Sequence, residues 1–115
     1  MRSIIKGGTI VTSHSKFQAD ILIDNEKIES IGKNLVNNDA KIIDAEGKYV
    51  LPGAIDAHTH LEFPFNGTTS ADSYFTGTRA GACGGVTTVF DFVTQRKGQG
   101  IREAVKPRHD LCAPQ

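Results

Sequence analysis

His58 and His60, one residue apart at the end of Ala54-Ile55-Asp56-Ala57, are the residues of this 115-residue chain whose types and spacing best suit chemistry. In an extended strand, side chains at i and i+2 share a face, so the two imidazoles project together with Asp56 while Ala57, Thr59 and Leu61 project the other way. Imidazole suits zinc and neighbouring divalent ions, and a catalytic zinc takes three protein ligands plus a water or substrate position. The pair is therefore half of a metal site, and no further ligand with matching spacing accompanies it. The alternative is an ordinary polar strand end, hydrogen-bonded to backbone or water.

The elements that must position these histidines are legible nearby. Tyr49-Val50-Leu51, closed by Pro52-Gly53, reads as a strand and a turn, and Ala54-Ile55-Asp56-Ala57 reads as a second, buried strand. The histidines then fall at the carboxyl end of a buried strand, where α/β barrels and open α/β sheets place their chemistry.

The remaining sequence bounds the setting. A complete α/β barrel needs about 250 residues, more than this chain has. The formal net charge is zero, with Lys and Arg scattered, which gives no reason to expect nucleic acid or an anionic membrane as partner. No apolar run approaches the ~20 residues that span a bilayer, and Ile4-Ile5-Lys6-Gly7-Gly8 follows the start without a signal-peptide core, so a cytoplasmic location is the default expectation. Cys83 and Cys112 have neither metal-ligand nor disulfide-framework spacing and are expected to be free thiols, Cys83 as a small packing residue.

Residues 2 to 52 read as short strands joined by tight turns: Ser3–Lys6, Thr9–Val11, Ala19–Asp24, then Lys27–Gly32 after the two-residue turn Asn25-Glu26. Lys41–Asp44 and Lys48–Leu51, split by Glu46-Gly47, are expected to form a further hairpin. No gap holds a crossover helix, which favours a compact sheet or half-sandwich. Beyond Pro52 the pattern changes to strand, Phe/Gly/Thr-rich loop, helix and strand. Ser70 is the expected N-cap, with Asp72 in the first turn and Tyr74, Phe75, Thr78 and Ala82 on one face. Gly84-Gly85 is expected to stop the helix, and Val86–Val93 reads as a buried strand, completing a βαβ unit. Ile101–Val105 begins another helix, which Pro107 is expected to end. The cluster Gly81–Gly85 precedes a strand rather than opening a helix, the wrong polarity for a phosphate loop.

Three stretches together resemble the dihydropyrimidinase and hydantoinase family of cyclic amidases, within the metal-dependent amidohydrolase superfamily. They are Pro52-Gly53-Ala54-Ile55-Asp56-Ala57-His58-Thr59-His60-Leu61-Glu62, Phe63-Pro64-Phe65-Asn66-Gly67-Thr68, and Ser70 to Ala80, extended by Gly84-Gly85-Val86-Thr87-Thr88 and Asp91-Phe92-Val93. The resemblance covers roughly residues 1 to 105. It implies a mixed α/β chain: a small all-β half-sandwich over residues 1–52, the first βαβ unit of an incomplete TIM-type barrel over 53–105, and a divergent tail over 106–115. It also implies a two-zinc centre in which His58 and His60 bind the more buried ion. The lysine, the other histidines and the acid–base aspartate of that family lie farther along a longer chain, so no catalytic residue is identified here.

Asp56 is placed either to orient a histidine ligand from behind or to cap backbone groups near the turn. Phe63 and Phe65 resemble the family's substrate loop, forming an apolar wall around a ring substituent, or else pack inward as core. Asp91 either faces the site or accepts backbone N–H groups, and His14 and His109 are expected at the surface. After Val105 the tail has a helix breaker and no apolar periodicity, which points to a frame change or a cut near that position. The chain is thus read as a fragment of a zinc-dependent cyclic amide hydrolase, inactive in isolation and poorly stable because of its open sheet edges. Completed, it would take a small cyclic amide substrate and could form homo-oligomers. Other readings are a fragment of allantoinase or dihydroorotase, or a non-catalytic module that associates with full-length relatives.

Overall fold

Short apolar runs broken by glycine and Asx turns build the first 52 residues as strands. The computed structural model describes residues 1–113, and the chain divides after Pro52 into two units. In the first, β1 (Arg2–Lys6), β4 (Asp20–Asp24), β5 (Lys27–Gly32) and β6 (Lys41–Asp44) form a sheet in the order β5-β4-β1-β6. The strands β2 (Thr9–Val11), β3 (Lys16–Gln18) and β7 (Tyr49–Val50) form a second sheet in the order β3-β2-β7. Ile4, Ile10, Ala19, Ile21 and Ala45 are buried, with Ile5, Ile23 and Val50 packed against the cluster around Ile10. Gly8 permits this approach: a Cβ there would stand 2.6 Å from Val50 Cγ2. The buried carboxylate of Asp20 is satisfied by the N–H groups of Gly7 (2.8 Å) and Leu35 (3.0 Å).

The expected hairpin of Lys41–Asp44 with Lys48–Leu51 does not form. Instead β6 pairs parallel with β1, and β7 pairs parallel with β2. The chain turns the same corner twice: Gly7-Gly8 carries β1 into β2, and Ala45–Lys48 carries β6 into β7. Hydrogen bonds from Ala45 N–H to Lys6 O (2.8 Å) and from Thr9 N–H to Lys48 O (2.9 Å) tie the two corners together. Each corner has a glycine in the left-handed region, Gly7 (φ 73°) and Gly47 (φ 71°).

The second unit contains β8 (Ala54–Thr59), the hairpin β9 (Pro64–Phe65) and β10 (Thr68–Thr69), α1 (Tyr74–Cys83), β11 (Val86–Asp91) and α2 (Ile101–Cys112). β8 and β11 are parallel, with Ala54 opposite Val86 and Thr59 opposite Asp91, and α1 connects them. The helix is capped by Ser73, not Ser70: Ser73 Oγ accepts the Thr76 N–H (3.0 Å) and the Thr76 hydroxyl accepts the Ser73 N–H (2.9 Å). Ser70 also has a hydroxyl three residues on, in Ser73, but its own Oγ is taken by the Phe63 N–H (2.8 Å) and the His60 carbonyl (2.7 Å), which leaves the cap to Ser73 and Thr76. The helix ends as expected at Gly84-Gly85, with Gly85 at φ 88°.

Three further expectations fail. β8 and β11 are not buried; Ile55 is 64% and Phe90 58% exposed, because among the described residues each has only the other as sheet neighbour. Pro107 does not end its helix, since α2 runs through it to Cys112. An internal proline costs about 3 kcal/mol through a lost bond and a clash, and α2 is anchored just beyond it by Arg108. Cys83 is exposed rather than packed, because it lies in the solvent-facing last turn of α1.

Candidate functional site

At the carboxyl end of β8 the side-chain alternation puts both imidazoles on one face. His58 Nε2 and His60 Nε2 are 3.1 Å apart. Two ligands at 2.0–2.1 Å from a tetrahedral ion lie about 3.3 Å apart, so the donor atoms fit two positions of one metal ion. The same separation suits an N–H···N hydrogen bond between the two rings. Among the described residues, no three His, Cys, Asp or Glu side chains gather to close a coordination sphere. Imidazole chemistry and spacing thus fit zinc, with the remaining ligands still to be supplied.

Aromatic rings hold the pair. His58 stacks on Phe92 at a centroid distance of 4.1 Å and an interplanar angle of 21°, and His60 meets Phe63 at 4.7 Å. The carbonyl of His60 accepts the Ser70 hydroxyl (2.7 Å), and Ser70 Oγ accepts the Phe63 N–H (2.8 Å). Asp56 Oδ1 accepts the His58 backbone N–H at 3.1 Å, the capping arrangement of the two open at the sequence level. Phe63 is half-buried, whereas Phe65 is 64% exposed on the β9–β10 hairpin. The hairpin turns through Asn66 (φ 48°) and Gly67 (φ 80°). His60, Phe63, Phe65, Thr68, Thr69 and Ser70 line a cavity of about 420 Å³ beside the imidazoles.

Directly behind the histidines lies a polar node that the sequence does not announce. Asp91 accepts the Leu61 N–H through Oδ1 (3.1 Å), and through Oδ2 it accepts the Tyr74 hydroxyl and Arg108 Nε (3.2 Å) and Nη2 (2.5 Å). Arg108 also donates to the carbonyls of Leu61 and of Glu62, the latter at 2.9 Å. Burial opposes ionisation of Asp91, yet the Tyr74, Arg108 and Leu61 hydrogen bonds outweigh it and hold its pKa below the ordinary aspartate value. Burial, and then the hydrogen bond to Asp91, push the Tyr74 phenol up to about 12. Of the two arrangements open for Asp91, the lone charge in Val86–Val93, acceptance of a backbone N–H is the one seen, at Leu61. Nothing in the sequence marks Arg108. His14, bonded to Ser13 (2.6 Å), and His109, 3.9 Å from Asp110, take no part in the site.

Residues 49–113 match the amidohydrolase family. The D-hydantoinase of Geobacillus stearothermophilus is 47% identical over 110 residues, which are 96% of this chain and 23% of that protein. The dihydropyrimidinase of Dictyostelium discoideum is 43% identical over 102 residues, 88% of this chain and 20% of that protein. Among solved structures, the dihydropyrimidinase from Brevibacillus agri NCHU1002 matches with a TM-score of 0.92 and 48% identity, covering 96% of this chain and 24% of its own. The chain thus spans only a minor share of the length of these relatives. With the family pattern matched over more than half of its residues, this chain belongs to the amidohydrolase family.

Proposed function

We propose that this chain is the amino-terminal portion of a zinc-dependent hydrolase that opens cyclic amides of the dihydropyrimidine or hydantoin type. The observation that carries the reading is the 3.1 Å approach of His58 Nε2 to His60 Nε2 at the carboxyl end of β8. β8, α1 and β11 are read as the opening of an α/β barrel, and His58 and His60 as ligands that hold a metal at its mouth. When bound, a zinc pair supplies a hydroxide at neutral pH and polarises the ring carbonyl. The chain's own contribution is placement: Phe92 and Phe63 fix the imidazole planes, and the cavity walled by Phe63 and Phe65 takes the ring substituent and excludes water. Two imidazoles are fewer than the three protein ligands a catalytic zinc takes, so the 115-residue chain alone is inactive.

The test is a chimera in which this chain replaces the matching segment of the Geobacillus stearothermophilus D-hydantoinase. Zinc-dependent hydrolysis of hydantoin that vanishes in His58→Ala is the expected result. A folded chimera that binds no zinc and hydrolyses neither hydantoin nor dihydrouracil would overturn the reading, as would robust turnover by the isolated chain.

A further inference from the structure

The segment that follows His60 is held more tightly than a loop entrance requires. Leu61 is fixed at three points: its N–H by Asp91, its carbonyl by Arg108, and its side chain by α1. The side chain is buried against Gly77, where a Cβ would stand 2.4 Å from Leu61 Cδ2. Glu62 is fixed as well. Its N–H donates to Asp72 O (2.8 Å), its carbonyl accepts Arg108 Nη1 (2.9 Å), and its carboxylate accepts the Tyr74 N–H (3.0 Å). Glu62 sits at φ 45°, a conformation that a non-glycine residue holds only when its surroundings impose it.

We propose that Arg108 and Asp91 are positioning residues for the histidine pair: by clamping Leu61 and Glu62 they fix the backbone that carries His60, and so hold its Nε2 against that of His58. This rests on the reading of the two histidines as metal ligands. Arg108 suits the task because its planar fork reaches one carboxylate and two carbonyls at once. Asp91 suits it because one oxygen takes the Leu61 N–H while the other takes the Tyr74 and Arg108 donors. The clamp makes α2, the fifth element after β8 in the chain, part of the support for β8. It also gives the residues beyond Pro107 a role that their lack of apolar periodicity conceals.

The test uses the whole chain, free of metal, with isotope-labelled histidine, and reads the nuclear Overhauser effect between the His58 and His60 rings. Arg108→Ala is expected to abolish that cross-peak. Arg108→Lys keeps a charge beside Asp91 but cannot span both carbonyls; it is expected to keep the fold and still lose the cross-peak. Zinc titration of the same samples is expected to show affinity about ten-fold weaker in both variants, as for other residues that orient metal ligands. A folded Arg108→Lys or Arg108→Ala chain with an undiminished cross-peak would overturn the proposal. If the cross-peak disappears in Arg108→Lys while the unsubstituted chain binds no zinc, the positioning role stands and the metal reading fails.

Discussion

Replacing Asp91 by alanine perturbs the second unit at its most connected point. The substitution leaves Arg108, with 14% of its side chain exposed, without a counter-ion, and deprives the Leu61 N–H and the Tyr74 hydroxyl of their acceptor. Breaking a fully buried pair by removing one partner costs about 3–5 kcal/mol, and an unsatisfied donor about 1–3 kcal/mol, though these overlap. The Arg108 bonds to the Leu61 and Glu62 carbonyls survive, and both side chains retain some water contact, so the expected loss is about 3 kcal/mol at neutral pH. Both helices of the described residues lie in the second unit, so helical circular dichroism during urea unfolding reports on it. The pH dependence adds a signature. Because the folded-state pKa of Asp91 is depressed, its contribution is fully present above the unfolded value of about 3.9 and disappears as pH falls through the folded value. The gap between the unsubstituted chain and Asp91→Ala should therefore narrow as the pH falls below the unfolded value. A gap under about 1 kcal/mol at pH 7 would refute the argument, as would a gap that widens in acid.

Other expectations follow from the same coordinates. The Tyr74 phenol has a raised folded pKa, so its contribution is complete below the ordinary tyrosine value of about 10 and is lost as pH rises towards about 12. Ultraviolet titration should find a late-ionising phenol that Tyr74→Phe removes. Gly85→Ala forces a β-carbon onto a residue at φ 88° and should destabilise the second unit by about 1 kcal/mol, read from urea midpoints. Pro107→Ala restores a donor and removes a ring clash inside α2, and should raise stability by about 1 kcal/mol or more in the same experiment.

The fold was most legible where local chemistry decides it. Strands β1, β2, β4 and β5 follow from their apolar runs and from the Asn25-Glu26 turn, and α1 and its glycine stop follow from the pattern between Ser70 and Gly85, although the cap falls at Ser73. The failures are non-local. Whether Lys41–Asp44 pairs with its neighbour in sequence or with β1 is set by how two corners pack, which no short window of sequence reports. The burial expected of β8 assumed covering elements that the described residues do not supply. At the site, the strand period places His58 and His60 together, and that placement needs nothing beyond residues 56–60. The clamp behind them joins Leu61, Tyr74, Asp91 and Arg108, brought together by tertiary packing across 47 positions, and Arg108 stands beside a proline that reads as a helix stop.

The most direct test of the central claim is zinc binding by the purified chain, compared with His58→Ala and His60→Ala at neutral pH by isothermal titration. The account predicts one weakly bound zinc per chain, lost in either variant, with no hydrolysis of hydantoin or dihydrouracil by any of the three. Zinc binding that survives both substitutions would contradict the assignment of the metal to this pair, and the absence of binding in the unsubstituted chain would contradict the claim that the pair alone is a competent half-site.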